Sequence, residues 1–123
     1  MNVLLLDDSD IVLARMCEVL ADVSCIKEIY STKNIDNLFS ILAVKKPEIV
    51  LIDTSLPDKS GIDVLRKIKQ ISSIVKIILV TNYPTEHYKL MCKENGADYF
   101  IDKSTAFETI PSILEKECSV LAD

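Results

Sequence analysis

Five short apolar segments recur along the chain at nearly even intervals, and this pattern constrains the fold more than any other feature. They are separated by about 22 to 27 residues, which is the length of a strand, a helix and two loops. Between them, apolar residues recur three and four positions apart, as on one face of a helix. The segments are Val3–Leu6, Ile26–Tyr30, Ile49–Ile52, Lys76–Val80 and Tyr99–Ile101. The chain is therefore expected to alternate strands and helices five times.

This alternation predicts a parallel sheet that is covered by helices on both faces. The first, third and fourth segments are almost continuously apolar, as strands buried on both faces are. The second and fifth segments mix apolar with polar or charged residues, which edge strands tolerate. We therefore expect an α/β fold, a flavodoxin-like (βα)₅ doubly wound parallel sheet with strand order 2-1-3-4-5.

The composition argues against several classes of protein. Apolar residues make up 49% of the chain and charged residues 27%, as in a folded globular domain. The apolar runs are too short to cross a bilayer, and the start of the chain lacks the basic region of a signal peptide. A net charge of −5 without a long Lys/Arg cluster disfavours direct nucleic-acid binding. We expect a cytoplasmic protein that neither inserts into membranes nor binds nucleic acid itself.

The four cysteines are Cys17, Cys25, Cys92 and Cys118. They lack CxxC spacing, and only one histidine is available to join them. A zinc site or a disulfide framework is therefore disfavoured. We expect buried or half-buried reduced thiols, with Cys92 and Cys118 packing inward from helices.

Acidic, hydroxyl and ammonium groups follow the predicted strands at the edge where such sheets bind ligands. Ligands lie outside the carboxyl ends of the strands at the switch point, here between the first and third strands. Asp7 and Asp8 follow the first strand, Asp53 the third, Thr81 the fourth and Lys103 the fifth. Three carboxylates repel one another and need a counter-charge, and hard oxygen ligands favour Mg²⁺. A carboxylate nucleophile in this setting forms an acyl phosphate.

Four groups of residues, in this order, resemble the receiver domain of bacterial two-component response regulators. They are Leu4-Leu5-Leu6-Asp7-Asp8; Val50-Leu51-Ile52-Asp53 with Leu56-Pro57-Asp58 and Gly61; Ile78-Leu79-Val80-Thr81; and Gly96-Ala97-Asp98-Tyr99-Phe100-Ile101-Asp102-Lys103. The resemblance covers essentially the whole chain and implies one receiver domain over residues 1–123. The start at Met1 and the lack of a trailing linker favour a stand-alone protein.

The resemblance implies that Asp53 is the phosphorylation site. It would take a phosphoryl group from a phosphohistidine on a sensor histidine kinase or a histidine phosphotransfer protein. Asp7, Asp8 and Asp53 would hold Mg²⁺, with the backbone carbonyl of Ser55 as a further ligand. The chain would be a signalling phosphoacceptor that assists its own phosphorylation and dephosphorylation, and not an enzyme with a separate substrate.

The resemblance also implies a switch. Thr81 and Lys103 would each contact an oxygen of the phosphoryl group on the acceptor. Phe100 matches the aromatic position that turns inward when the threonine moves, so that Thr81 and Phe100 would form the switch. A downstream protein partner would bind the face built from helix four, strand five and helix five, including Tyr83 and Tyr88.

Some positions depart from the pattern of the family. The residue after Thr81 is usually small, but here it is Asn82, which could restrict access to the acyl phosphate. The residue after the lysine is usually proline, but here it is Ser104. Ser55 and Tyr83 occupy positions that tune dephosphorylation in relatives. A tyrosine there could shield the phosphoryl group from water, which favours a longer-lived phosphorylated state.

Two other interpretations fit part of the sequence. Asp8-Ser9-Asp10-Ile11-Val12 resembles the opening motif of haloacid-dehalogenase-like phosphatases, in which Asp8 would be the nucleophile. The chain is too short for that family's later acidic motif and cap insertion, and this interpretation gives Asp53 no role. A degenerate receiver acting only as an interaction module is the other alternative, against which the intact set of site residues argues.

Overall fold

The computed structural model describes residues 1–53, 60–82 and 85–122. Strands and helices alternate along the described part of the chain. Their bounds are β1 (Asn2–Leu6), α1 (Asp10–Leu20), β2 (Glu28–Thr32), α2 (Ile35–Lys45), β3 (Ile49–Asp53), α3 (Ser60–Ile71), β4 (Lys76–Thr81), α4 (Glu86–Glu94), β5 (Tyr99–Asp102) and α5 (Ala106–Ala122). A single turn of 3₁₀ helix, Lys103–Thr105, joins β5 to α5.

The strands form one parallel sheet in the order β2-β1-β3-β4-β5. This confirms the predicted doubly wound fold, with β2 and β5 at the edges. In the central strands, β1 pairs with β3 through Leu6 and Ile52, and β3 pairs with β4 through Asp53 and Val80. The carboxyl ends of β1, β3 and β4 therefore meet at one edge of the sheet.

Two apolar cores lie on opposite faces of the sheet. One is covered by α1 and α5, whose Leu20, Ile110 and Leu114 are buried against it. The other is covered by α2, α3 and α4, where Leu38 and Ile68 are completely buried. Burying each such side chain stabilises the fold by about 1.5–3 kcal/mol.

Local signals set the helix ends. The Ser9 side chain accepts a hydrogen bond from the Val12 amide at the start of α1, as N-cap residues do. Thr85 caps α4 in the same way, accepting from the Tyr88 amide. Gly96, which follows α4, has φ +118°, and a Cβ built there would lie 2.8 Å from Cγ of Lys69. A side chain would be both strained and crowded at this position.

One predicted strand is misplaced along the sequence. The apolar pattern predicts the second strand at Ile26–Tyr30, whereas β2 spans Glu28–Thr32 and its ladder with β1 starts at Glu28. Ile26 instead donates its amide to the Val23 carbonyl in a turn and packs against the α1/α5 core. Its apolar side chain serves core packing and not strand pairing.

The expectation of four reduced thiols is wrong for one pair. Cys25 and Cys118, which are 93 positions apart in the sequence, form a disulfide, with Cα atoms 6.0 Å apart. Cys25 lies in the α1–β2 connection and Cys118 in α5, so the pairing depends on how α5 packs. Cys17 and Cys92 are free thiols.

Candidate functional site at the carboxyl end of the sheet

The parallel topology brings the predicted site residues to one edge. Asp7 directly follows β1, Asp53 is the last residue of β3, Thr81 ends β4, and Lys103 follows β5. Asp7 and Asp53 come from the two adjacent strands at which the chain reverses its direction of winding. This is the position where open α/β sheets bind ligands.

Three carboxylates form the floor of the site. Asp7, Asp8 and Asp53 each offer a carboxylate oxygen, and these atoms all lie within 4.8 Å of one another. Asp7 and Asp53 are buried, with 6% and 4% of their surfaces exposed, whereas Asp8 is exposed. Hard carboxylate oxygens are ligands that Mg²⁺ prefers, and an exposed carboxylate leaves room for the waters that Mg²⁺ retains. The donor set therefore fits Mg²⁺.

The ammonium of Lys103 lies against these carboxylates. Its Nζ is 2.5 Å from Oδ2 of Asp53 and 3.9 Å from Oδ2 of Asp7. Burial alone would lower the pKa of Lys103, but the hydrogen bond to Asp53 and the charges of Asp53, Asp7 and Asp8 raise it above its usual value. Lys103 is therefore a fixed positive charge at the end of the Asp53 side chain.

One ammonium does not balance the acidic cluster. The pKa of Asp7 is raised to about 7, mainly by burial and in addition by the hydrogen bond to Asp53 and the charge of Asp53. A hydrogen bond from the Ser9 amide, 3.0 Å from Oδ1, and the charge of Lys103 act in the opposite direction. The site thus lacks positive charge at neutral pH, which is the condition that a bound divalent cation relieves.

A cleft of about 270 Å³ opens this site to solvent. Asp7, Asp8 and Asp53 line it together with residues at the start of α2, including Asn34 and Asp36. The nearby ion pair of Lys33 and Asp10 is exposed and spans 3.1 Å. Asp53 thus borders the cleft, although only 4% of its surface is exposed.

Thr81 and Phe100 lie on neighbouring strands beside the acidic cluster. Thr81 is completely buried at the end of β4. Leu79 pairs with Phe100 in the sheet, and the alternation of side chains along a strand puts Leu79 and Thr81 on the same face. The half-buried Phe100 contacts Tyr88 of α4 edge to face, with ring centroids 5.8 Å apart. Phe100 thus lies between strand β4, with which its own strand pairs, and helix α4.

Ser55 and Tyr83, and with them the Leu56-Pro57-Asp58 motif, lie outside the described residues. Asn82 is described and exposed. The longer phosphate lifetime inferred from Tyr83 stays a prediction.

One contact beside the site, between Asp102 and Ser104, was not predicted from the sequence. Oδ1 of Asp102 accepts hydrogen bonds from the Ser104 amide at 3.0 Å and the Ser104 hydroxyl at 2.9 Å. This turn holds the backbone on both sides of Lys103, and it supplies local order at a position where relatives usually carry proline. An aspartate followed two residues later by serine is a known turn signal, and it could have indicated this contact.

Comparisons with known proteins agree with the geometry. The family model for the response regulator receiver domain matches residues 3–115. The response regulator UvrY of Escherichia coli is 27% identical over 113 residues, covering 92% of this chain and 52% of UvrY. The chain therefore spans about half the length of the curated relatives it matches.

Solved structures give the same fold. A CheY-like response regulator receiver domain protein from Methanospirillum hungatei superposes with a TM-score of 0.83 at 20% identity, over 96% of this chain and 93% of that one. A response regulator from Thermotoga maritima gives 0.85 at 19% identity, over 96% and 97% of the two chains. Within the described residues, no helix is both long and apolar enough to span a membrane.

The comparisons give no support to the phosphatase alternative. The chain belongs to the response regulator receiver domain family of two-component systems.

Proposed function

We propose that Asp53 accepts a phosphoryl group, in a Mg²⁺-dependent transfer from a phosphohistidine on a sensor histidine kinase or a histidine phosphotransfer protein. The observation that carries the proposal is the environment of the Asp53 carboxylate. It is buried, it lies 2.5 Å from Nζ of Lys103, and its oxygens are within 4.8 Å of those of Asp7 and Asp8. The receiver family supplies the reaction class.

In the proposed reaction, a carboxylate oxygen of Asp53 attacks the phosphorus. The phosphorus–nitrogen bond to the donor histidine breaks, and the imidazole leaves. Lys103 would then pair with a phosphoryl oxygen in place of Oδ2.

Asp7, Asp8 and Asp53 would hold the Mg²⁺, with the backbone carbonyl of Ser55 as a further ligand. Mg²⁺, when bound, neutralises charge on the oxygens of a transferring phosphoryl group. The raised pKa of Asp7 supports this role, because burial and the neighbouring Asp53 both disfavour its carboxylate form and a bound cation would favour it.

We further propose that phosphorylation acts on the face formed by α4, β5 and α5. The Thr81 hydroxyl would donate a hydrogen bond to the phosphoryl group, and Phe100 with Tyr88 would transmit the change to α4. Contacts made in only one of two states shift the equilibrium between them. Leu90 and Met91 of α4 are exposed apolar side chains that a downstream protein could cover.

The proposed role is that of a signalling phosphoacceptor, and self-catalysed phosphorylation and dephosphorylation form part of it. We propose that the receiver domain occupies residues 1–123, of which residues 3–115 match the family model. The cytoplasmic location, the absence of direct nucleic-acid binding and the stand-alone nature of the protein stay predictions.

The test is incubation with Mg²⁺ and a small phosphodonor, acetyl phosphate, followed by intact-mass measurement. Wild type and Asp10→Asn, a matched control that removes an exposed carboxylate near the cleft, should each gain one phosphoryl group. Asp53→Asn should gain none, and Asp8→Asn should gain it only slowly. An adduct of equal yield in Asp53→Asn would contradict the acceptor assignment.

Two further outcomes separate the alternatives. A wild type that binds Mg²⁺ in calorimetry but takes up no phosphate would support the interaction module. Turnover of a phosphate ester that depends on Asp8 and not on Asp53 would support the phosphatase.

A further inference from the structure

The disulfide between Cys25 and Cys118 joins two parts of the chain that the proposed phosphoryl chemistry does not involve. Cys25 lies just before β2, and Cys118 lies near the end of α5. Both are at the amino end of the sheet, opposite the acidic cluster. Their Cα atoms are 6.0 Å apart, within the usual range for disulfides.

Contacts that do not involve sulfur hold both cysteines in place. The connection around Cys25 is fixed by the Ile26 amide, which donates to the Val23 carbonyl, and by the Lys27 amide, which donates to the Met1 carbonyl at 2.8 Å. The two thiols are therefore expected to stay adjacent when the disulfide is reduced.

On the α5 side, the neighbour of Cys118 is anchored to the sheet. Glu117 is buried and accepts a hydrogen bond from the hydroxyl of Tyr99 in β5. Since α5 also packs its apolar face on the sheet, Cys118 has a defined position that does not depend on the disulfide.

Accessibility separates this pair from Cys92, whereas Cys17 is half-buried as they are. Cys25 and Cys118 are half-buried, so a small thiol or disulfide can reach them. Cys92 is completely buried. Burial raises the pKa of the Cys17 thiol and of the Cys92 thiol, which lowers the fraction of reactive thiolate at each.

We propose that Cys25 and Cys118 are a reversible redox modification site that joins the end of α5 covalently to the α1–β2 connection. The oxidant is a low-molecular-weight disulfide. One cysteine thiolate attacks a sulfur of that disulfide, whose sulfur–sulfur bond breaks and releases one thiolate. The second cysteine thiolate then attacks the mixed disulfide at the protein sulfur and releases the other thiolate. The protein loses two electrons, and the small disulfide is reduced to two thiols.

Opening this link would remove the covalent restraint on the last turns of α5 and leave the Tyr99–Glu117 hydrogen bond and apolar packing among the contacts of the described residues. The amide protons of those turns should then exchange faster, because local unfolding of the helix end requires less free energy without the covalent link. The redox change acts on α5 whether or not Asp53 accepts phosphate, so this inference does not depend on the proposed function.

The test equilibrates the full chain in buffers with different ratios of reduced to oxidised glutathione, quenches with acid, and counts free thiols by alkylation in denaturant and intact mass. Wild type and the matched control Cys17→Ser should each lose two alkylatable thiols in one step, and dithiothreitol should restore both. Cys25→Ser and Cys118→Ser should form no internal disulfide. Four free thiols in wild type at every ratio, or an internal disulfide in Cys118→Ser, would overturn the proposal.

A second measurement tests the structural consequence. Amide hydrogen exchange in residues 112–120 should become at least about tenfold faster on reduction of wild type and of Cys17→Ser, while exchange in β3 changes little. Equal exchange rates for the oxidised and reduced forms would show that the link does not hold α5.

Discussion

The two ends of the sheet use buried polar groups in opposite ways. At the carboxyl end, Asp7 and Asp53 are buried next to each other, and the ammonium of Lys103 lies against both. At the amino end, buried Glu117 has a neutral hydroxyl as its partner and sits beside a disulfide. Like charges are thus concentrated at one end, while the contacts at the other end are attractive or covalent.

We infer that the carboxyl end of the sheet serves the chemical reaction and that the amino end serves the stability of the fold. Burying like charges together costs free energy, and the same arrangement can attract a cation and orient a nucleophile. Changes at the carboxyl end should therefore affect phosphate uptake, and removal of a carboxylate there should also relieve repulsion. Changes at the amino end should lower stability and leave phosphate uptake nearly unchanged.

The largest expected effect on stability is at the amino end. Reducing the Cys25–Cys118 disulfide should lower the free energy of unfolding by about 4 kcal/mol, because a loop of this length is no longer closed in the unfolded chain. Urea unfolding of oxidised and reduced wild type measures the difference. Cys118→Ser should be insensitive to reductant. If oxidised and reduced wild type unfold at the same urea concentration, the disulfide does not stabilise the fold.

The largest expected effect on chemistry is at the carboxyl end. Lys103→Met should slow phosphate uptake by about 100-fold, because it removes the ammonium beside Asp53. Glu117→Gln, at the other end of the sheet, should change the rate by less than about twofold. Rates of adduct formation from acetyl phosphate measure both. Equal rates of phosphate uptake in Lys103→Met and Glu117→Gln would contradict the claim that the carboxyl end of the sheet serves the chemistry and the amino end does not.

A smaller effect of opposite sign is expected for Asp7→Asn. The amide can still accept the hydrogen bond from Ser9, while one buried negative charge is removed. In metal-free buffer the free energy of unfolding should therefore rise by about 1–2 kcal/mol. Saturating Mg²⁺ should raise the thermal midpoint of wild type and not that of the variant. A variant that is less stable than wild type without metal would argue against charge repulsion at this site.

The smallest effect concerns pH and Tyr99. The hydrogen bond to Glu117, with burial, raises the pKa of Tyr99 from 10.0 to about 12. The folded state then holds a proton that the unfolded state has lost, so this contribution is complete below pH 10 and disappears as the pH rises through about 12. Because Tyr99 is partly exposed, we expect about 1 kcal/mol.

The comparison of wild type with Tyr99→Phe isolates this contribution. Their difference in unfolding free energy should be largest at neutral pH and shrink as the pH approaches 12. Glu117→Gln should weaken the pH dependence, because the amide does not repel a tyrosinate. A difference between wild type and Tyr99→Phe that is constant with pH would contradict the role assigned to Glu117.

The sequence predicted the site better than it predicted the amino end of the sheet. Once the strands are parallel, residues that follow them must meet at one edge, so Asp7, Asp53 and Lys103 could be placed together from their positions alone. Ile26 could not be distinguished from a strand residue, because core packing and strand pairing both select apolar side chains.

The disulfide could not be predicted for a different reason. No local spacing relates Cys25 to Cys118, which are 93 residues apart. Their contact arises only when α5 packs on the sheet. The periodicity of apolar residues predicts that a helix packs on the sheet, but it does not determine the exact position of the helix along the sheet. The turn held by Asp102 and Ser104 was local and could have been recognised.

The most direct test of the central claim is chemical identification of the phosphorylated residue. Wild type is phosphorylated with acetyl phosphate and Mg²⁺, reduced with borohydride, which converts an aspartyl phosphate to homoserine, and analysed by peptide mass spectrometry. We expect homoserine at position 53 and unchanged aspartate at positions 7 and 8. Homoserine at position 8 would contradict the assignment of Asp53 as the acceptor. Complete phosphate uptake that yields no homoserine at any aspartate would contradict it as well.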